Sequence, residues 1–221
     1  MVASIDYIEG VIATYQKATK ANLDTPSREG NVVVLSTEVG DDVMITADLH
    51  GNRKNFNAIK RIADLEHHPR RHLILQEVCH GGPTYPTNNG DMSHGMLEDV
   101  AKLKVAYKDR VHFLLSNHEL AELTDYPILK AKKMLNLMFR LGLQEMYGPA
   151  TEKVREAYSE FLRSCPLAVV DRHVDGRAPR PGRLCRRGEC ALAGRRRHRR
   201  APSASRTNRA RPGTSRQTHR P

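Results

Sequence analysis

Residues 43–52, VMITADLHGN, join an apolar run to a polar cluster, and this arrangement is typical of a strand that ends at a ligand site in an α/β sheet. Residues 111–119, VHFLLSNHE, repeat the arrangement further along the chain. An open α/β sheet binds its ligand at the carboxyl ends of its strands, so the two polar clusters are expected to meet at one edge. Carboxylate, imidazole and amide groups gathered there suit a divalent metal ion. The sequence therefore predicts a metal site of the kind that hydrolases use.

The wider pattern alternates helices and strands, which predicts an α/β fold. Apolar residues at helical spacing predict helices near 5–15, 56–65, 96–105, 126–147 and 149–162, with Ser93 as an N-cap and Pro149 in a first turn. Apolar or β-branched runs predict strands at 31–35, 43–47, 72–78, 111–115 and 165–170. Residues 38–42 predict a hairpin between the first two strands. Helical crossovers predict that the later strands run parallel.

Charge divides the chain into two parts, predicted as a domain over 1–170 and a tail over 171–221. Residues 1–170 carry 20 Lys and Arg against 22 Asp and Glu, whereas residues 171–221 carry 16 Arg, no Lys and 3 acidic residues. The tail has no aromatic residue and no apolar periodicity, which predicts disorder. The formal net charge of +11 therefore belongs to the tail.

Three interpretations of the tail stay open. The run Arg195-Arg196-Arg197-His198-Arg199-Arg200 would attract phosphate backbones, which favours a nucleic-acid or anion-binding protein without enzymatic activity. Arg, Pro, Ala and Gly enrichment without Lys is also what a GC-rich gene gives in the wrong reading frame, in which case the natural domain continues past residue 170. Zinc binding by Cys185, Cys190 and His198 is a third interpretation, although a fourth ligand and the usual spacing are missing.

The N-terminus lacks the basic start and apolar run of a secretory signal, and the cysteines follow no disulfide framework. No apolar stretch approaches the roughly 20 residues that cross a bilayer. The sequence therefore predicts a soluble cytoplasmic protein that does not bind membranes.

The two polar clusters, with an acidic residue between them, resemble motifs of the calcineurin-like metallophosphoesterases, close to the serine/threonine phosphoprotein phosphatase branch. Asp48-Leu49-His50-Gly51 is similar to the first block of that family, and Ser116-Asn117-His118-Glu119 to the third, with Ser116 in place of the usual Gly. Residues 76–82, QEVCHGG, match the middle block by position only. The resemblance covers residues 30–170 and implies a metallophosphoesterase sheet with helical crossovers.

The resemblance also implies roles for individual residues. Asp48 and His50 would bind one metal ion, Glu77 would bridge two ions, and Asn117 would bind the second ion and the substrate phosphate. His118 would be the catalytic acid that protonates the leaving oxygen after a metal-activated water attacks phosphorus. The implied cofactors are two divalent ions, for which Mn, Fe and Zn are all suitable, and the implied partner is a phosphate-ester substrate.

The chain departs from the family pattern in the middle block and beyond residue 170. Gly81 stands where the family has a phosphate-binding Arg, and His80 stands where an Asp orients the catalytic His. Two further His ligands of the family come from later strands, whereas His173, His198 and His219 lie in the tail. The resemblance therefore covers an incomplete domain, and these departures favour a different substrate or weaker catalysis.

Local alternatives compete with these roles. His50 could cap the following helix, and Asn117 could be an ordinary N-cap with Glu119 in the first helical turn. Asp91 could replace Glu77 as the acidic ligand, or neither could bind metal. His80, His94 and His112 are predicted as solvated or hydrogen-bonded core residues.

Overall fold

A computed structural model describes residues 2–172. The predicted tail, including its Arg-rich run and its Cys185, Cys190 and His198, lies outside the described residues apart from Asp171 and Arg172, so the interpretations of it stay predictions. The helices are α1 (Ile5–Leu23), α2 (Arg53–Ala63), α3 (His94–Tyr107), α4 (Asn117–Thr124), α5 (Leu135–Tyr147) and α6 (Thr151–Ser164). The strands are β1 (Arg28–Glu29), β2 (Val32–Ser36), β3 (Asp42–Ile45), β4 (Arg71–Leu75), β5 (Val111–Phe113), β6 (Leu129–Lys130), β7 (Lys133–Met134) and β8 (Ala168–Arg172).

The mixed α/β class and the parallel pairing of the later strands are confirmed. Strand β4 lies between β3 and β5 and pairs parallel with both, with Ile74 opposite Ile45 and His112. Helix α3 connects β4 to β5 and buries Met96, Leu97, Val100 and Ala101 against the core. Burying a large apolar side chain stabilises the fold by about 1.5–3 kcal/mol, so this helix fixes β5 beside β4.

The predicted hairpin between the first two strands is wrong. Strand β2 pairs antiparallel with β1 and parallel with β8, whereas β3 belongs to the other sheet. Val39 N and Gly40 N both donate to Ser36 O in a turn, and Asp41 N then donates to Arg70 O. The chain therefore leaves the turn beside β4, and β3 pairs parallel with that strand.

The predicted helix over 126–147 begins only at Leu135, because residues 129–134 form the β6–β7 hairpin. Pro127 disfavours helical conformation at Tyr126, and the Asn136 side chain accepts a hydrogen bond from Ile128 N at 2.9 Å. The predicted helix over 149–162 is observed as α6, after a 3₁₀ turn over Gly148–Ala150. None of the helices within residues 2–172 combines the length and apolar character that a membrane span requires.

Strands β3, β4 and β5 end two to three residues before their predicted ends, at Ile45, Leu75 and Phe113. The residues that follow leave the sheet at its carboxyl edge. This difference matters for function because these following segments, and not the strands, carry the polar residues that the sequence singled out.

Candidate metal centre

Backbone hydrogen bonds hold the loop after β3 against the loop after β4. Leu49 N and His50 N donate to Glu77 O at 2.9 and 2.8 Å, and Gly51 N donates to Val78 O at 3.0 Å. These bonds extend the β3–β4 pairing beyond the sheet. They place the side chains of His50 and Glu77 next to each other.

The two loops adopt left-handed backbone conformations at the residues that face each other. His50 and Glu77 have φ values of 41° and 45°, which non-glycine residues rarely adopt. Gly51, with a φ of 66°, packs so closely that a Cβ there would lie 2.3 Å from Gly81 O. Uncommon backbone conformations held by their surroundings concentrate at functional sites.

Within residues 2–172, His50, Glu77 and His118 form a cluster that could hold a metal ion. One ligand atom from each residue lies within 4.8 Å of the others. His50 Nε2 lies 3.4 Å from Glu77 Oε2, and the rings of His50 and His118 pack edge to face with centroids 4.7 Å apart. Each residue follows a different parallel strand, as the sequence predicted.

The other nitrogen of His50 is engaged by the backbone. Nδ1 lies 3.2 Å from Cys79 O, and a carbonyl oxygen can only accept, so Nδ1 carries the hydrogen in this contact. Nε2 then presents its lone pair toward Glu77. Metal-binding histidines in proteins use this arrangement, in which the second nitrogen donates to a carbonyl.

Asp48 lies beside the cluster with its side chain exposed to solvent. Gln76 Nε2 donates to Asp48 Oδ1 at 3.4 Å. Burial raises the pKa of the Glu77 carboxyl, and the neighbouring Asp48 carboxylate raises that pKa further. Two carboxyl groups in mutual contact favour a bound cation, because a cation removes their repulsion.

His118 lies at the start of α4 and joins a buried chain of polar groups. Its Nδ1 lies 3.1 Å from His80 Nδ1, and His80 Nε2 lies 3.2 Å from Glu122 Oε2. Tyr158 donates to the other Glu122 oxygen at 3.0 Å. The side chains of His80 and Glu122 are fully buried, so this chain fixes the orientation of the His118 ring.

The pKa of His118 is lowered to about 4, chiefly by burial and further by the neighbouring imidazoles of His50 and His80 and by Lys130. The ring is therefore neutral near pH 7 in the free protein. Because His80 engages Nδ1, Nε2 is the nitrogen that faces a ligand. It can coordinate a cation through its lone pair or, when it carries a proton, donate that proton to a substrate.

Asn117 is the first residue of α4 and is exposed beside His118. The alternatives in which His50 or Asn117 is an N-cap are wrong. Ser116 occupies the N-cap position of α4, and Asn52, whose Oδ1 accepts from Asn55 N at 3.0 Å, caps α2 in place of His50.

The acidic residues Asp91 and Glu119 stabilise the loops around the cluster and are not part of it. Asp91 accepts hydrogen bonds from Gly81 N and Ser93 N, both at 2.7 Å. Glu119 is fully buried and accepts from Val78 N and Cys79 N at 2.9 and 2.8 Å. Glu77, and not Asp91, is therefore the acidic residue that accompanies His50.

The remaining histidines that the sequence assigned to the core behave in different ways. His94 and His112 are buried and hydrogen-bonded, as predicted. His80 is also buried and hydrogen-bonded, yet it contacts the site through His118. The sequence did not indicate two further residues of this chain of polar groups. Glu122 has an i, i+4 spacing from His118 that was a usable signal, whereas no local signal exists for Tyr158.

No protein-family model matches the chain, and a search of curated proteins finds no match.

Proposed function

We propose that the protein is a metal-dependent phosphoesterase, which hydrolyses a phosphate ester by means of a metal-activated water. The observation that carries this proposal is the convergence of His50, Glu77 and His118 within 4.8 Å at the carboxyl edge of three parallel strands. The order of the polar motifs, which resembles that of the calcineurin-like metallophosphoesterases, supports the same reaction.

The residues at this edge fit a divalent cation. His50 Nε2 presents its lone pair because Nδ1 is bonded to Cys79 O, and Asp48 and Glu77 supply carboxylate oxygens. Imidazole and carboxylate ligands suit Mn, Fe or Zn. With two ions, Asp48, His50 and Glu77 would hold the first, and Glu77 and Asn117 would help to hold the second, as the resemblance implies.

Divalent ions in such a site lower the pKa of bound water and offset the charge that builds up on the phosphoryl oxygens. The residues of the chain orient the substrate and move the proton. The Asn117 amide donates to a phosphate oxygen, and His118 gives a proton from Nε2 to the leaving oxygen. The negative charge of a bound phosphate raises the pKa of the adjacent His118, which favours the protonated ring that this step requires.

The test is a phosphatase assay with added Mn²⁺ that compares the wild type with Asp48→Asn and His118→Asn. Loss of an acid catalyst costs about 10²–10⁴-fold in rate, so His118→Asn should strongly reduce metal-dependent turnover. Asp48→Asn should also reduce it, because the variant lacks a carboxylate that would hold the cation. His67→Asn is the matched control, because the His67 side chain is 76% exposed.

The choice of leaving group separates the two roles open to His118. As an acid, His118 contributes less to p-nitrophenyl phosphate, whose leaving group needs little protonation, than to an alkyl phosphate. If His118 is only a metal ligand, His118→Asn would lower the affinity for Mn²⁺ and slow the hydrolysis of both substrates equally. A wild type that binds no Mn²⁺ in calorimetry and hydrolyses neither substrate would refute the proposed function.

A further inference from the structure

A short basic hairpin lies between α4 and α5. Strands β6 and β7 pair antiparallel, with Leu129 opposite Met134 and Lys130 opposite Lys133. Ala131 and Lys132 form the two-residue turn and have φ values of 50° and 63°. A turn with positive φ at both positions normally contains Asn and Gly, so the chain places an alanine and a lysine here against local preference.

The hairpin itself contains three lysines, all within the four positions 130–133. Lys130 and Lys133 are directly opposite each other, and like charges at opposed positions destabilise a strand pair. Lys132 adds a third positive charge in the turn. The nearby Asp125 is paired with Arg140 and Arg155. A bound anion would therefore stabilise the hairpin.

Large apolar side chains are exposed on the same segment. Tyr126 is 69% exposed, Leu129 71%, and Leu137 52%. Met134 is also exposed, and so is Leu120 of the preceding helix α4. Exposed apolar groups interspersed with cations are typical of a surface that binds a partner rather than of a solvated loop.

The hairpin is anchored beside the candidate metal centre. Asn136 donates to Ala121 O of α4 at 3.3 Å and accepts from Ile128 N. Ala121 lies about one helical turn after His118 in α4. An extended ligand on the hairpin could therefore reach the metal centre.

We propose that residues 126–137, which we call the basic hairpin, bind an acidic, partly apolar peptide segment that carries the phosphoryl ester to be hydrolysed. This inference rests on the proposed function and names its substrate class. The apolar side chains are mainly aliphatic, with Tyr126 as the one aromatic side chain in the segment. Nucleic-acid surfaces instead use several aromatic rings for base stacking. An extended peptide with acidic and aliphatic residues matches both the charge and the apolar side chains.

The test measures phosphate release from three substrates in the presence of Mn²⁺: a phosphoserine peptide flanked by Asp, Glu and Leu, a neutral phosphoserine peptide, and p-nitrophenyl phosphate. The double variant Lys132→Glu with Lys133→Glu should raise KM for the acidic peptide about tenfold or more, because charge reversal replaces attraction with repulsion. Turnover of p-nitrophenyl phosphate should be unchanged. The double variant Lys17→Glu with Lys153→Glu is the control, since it makes the same charge change at exposed positions of α1 and α6.

Fluorescence anisotropy of the labelled acidic peptide provides a second measurement that does not depend on catalysis. Tighter binding than that of the neutral peptide, lost on reversal of Lys132 and Lys133, supports the inference. Equal affinity for the two peptides overturns it even when p-nitrophenyl phosphate is hydrolysed. Sedimentation with phosphatidylserine vesicles that depends on these lysines, with no change in KM for the peptide, also overturns it in favour of a membrane surface.

Discussion

His80 and His118 face each other through their Nδ1 atoms at a distance of 3.1 Å, although they are 38 positions apart in the chain. Glu122 contacts the far side of the His80 ring at 3.2 Å, one helical turn after His118. The resemblance placed an Asp at the position of His80 to orient the catalytic His. The structure shows that an imidazole backed by a buried carboxylate occupies this place.

Replacing His80 should impair catalysis more than substrate binding. In His80→Ala the ring of His118 loses its partner, and loss of such a supporting hydrogen bond costs about 10–100-fold. We expect this loss in kcat for an alkyl phosphate, whose leaving group needs the proton, with KM nearly unchanged, measured by steady-state kinetics with Mn²⁺. His80→Gln, which keeps a hydrogen-bonding group, should recover part of the rate. Equal kcat in the wild type and His80→Ala would contradict the positioning role.

The contact of Gly51 with Gly81 should make Gly51→Ala far more damaging than an equivalent change elsewhere. Gly30 has a similar φ of 62°, but no heavy atom lies within 4 Å of the place that an added methyl group would take, so Gly30→Ala tests the backbone effect by itself. We expect Gly30→Ala to cost about 1 kcal/mol in the free energy of unfolding, and Gly51→Ala on the order of 3 kcal/mol because the two loops must separate. Urea unfolding of both variants measures the difference.

The same separation should weaken metal binding, because the loop bonds of Leu49, His50 and Gly51 hold His50 beside Glu77. Calorimetric titration with Mn²⁺ should show a lower affinity for Gly51→Ala than for Gly30→Ala. Equal affinities would mean that the loop contact does not position the ligands.

A buried histidine pair below the metal centre should make the fold sensitive to acid. His72 and His112 stack with centroids 5.3 Å apart, and burial lowers the pKa of His112 to about 3. Burial also lowers the pKa of His72. Unfolded histidines titrate near pH 6.5, so the unfolded chain takes up protons first as the pH falls. Stability is therefore complete above about pH 6.5 and is lost progressively toward pH 3.

Between pH 7 and pH 5, His112 should account for a loss of about 2 kcal/mol in the free energy of unfolding. The free energy of unfolding, measured with urea at several pH values, should depend less steeply on pH for His112→Phe than for the wild type. The exposed His68 serves as the control, and His68→Gln should keep the pH dependence of the wild type. If the free energy of unfolding of His112→Phe depends on pH as steeply as that of the wild type, buried His112 is not the cause of the acid sensitivity.

Lys104 should matter for stability although lysines rarely lie in a core. It is 1% exposed and donates to Thr25 Oγ1, Lys108 O and Val111 O at 2.9, 2.7 and 3.1 Å. Lys104→Met would leave these acceptors without their partner, and we expect a cost of about 2–3 kcal/mol in chemical denaturation. Lys102→Met, on the exposed side of the same helix, should change stability by less than about 0.5 kcal/mol.

The local sequence was enough to predict the helices and strands that depend on the pattern of residues close together in the chain. The apolar spacing of Met96, Leu97 and Val100 is enough to specify α3, because a helix buries one face at a fixed period. The apolar runs before Asp48 and Asn117 likewise specified strands with polar residues at their ends. The sequence also brought forward Asp48, His50, Glu77 and Asn117 as candidate metal ligands and His118 as a candidate acid, and the structure places His50, Glu77 and His118 within 4.8 Å of one another.

Tertiary structure decided what depends on contacts between distant segments. Strand β2 pairs with β8 rather than β3, because the turn at Ser36–Gly40 directs the chain toward the buried β4. His80 and Tyr158 join the His118 chain only because α4 and α6 pack beside the β4 loop, and no local pattern encodes that packing. Glu77 rather than Asp91 accompanies His50 for the same reason, since backbone hydrogen bonds between two loops fix which carboxylate faces the ring.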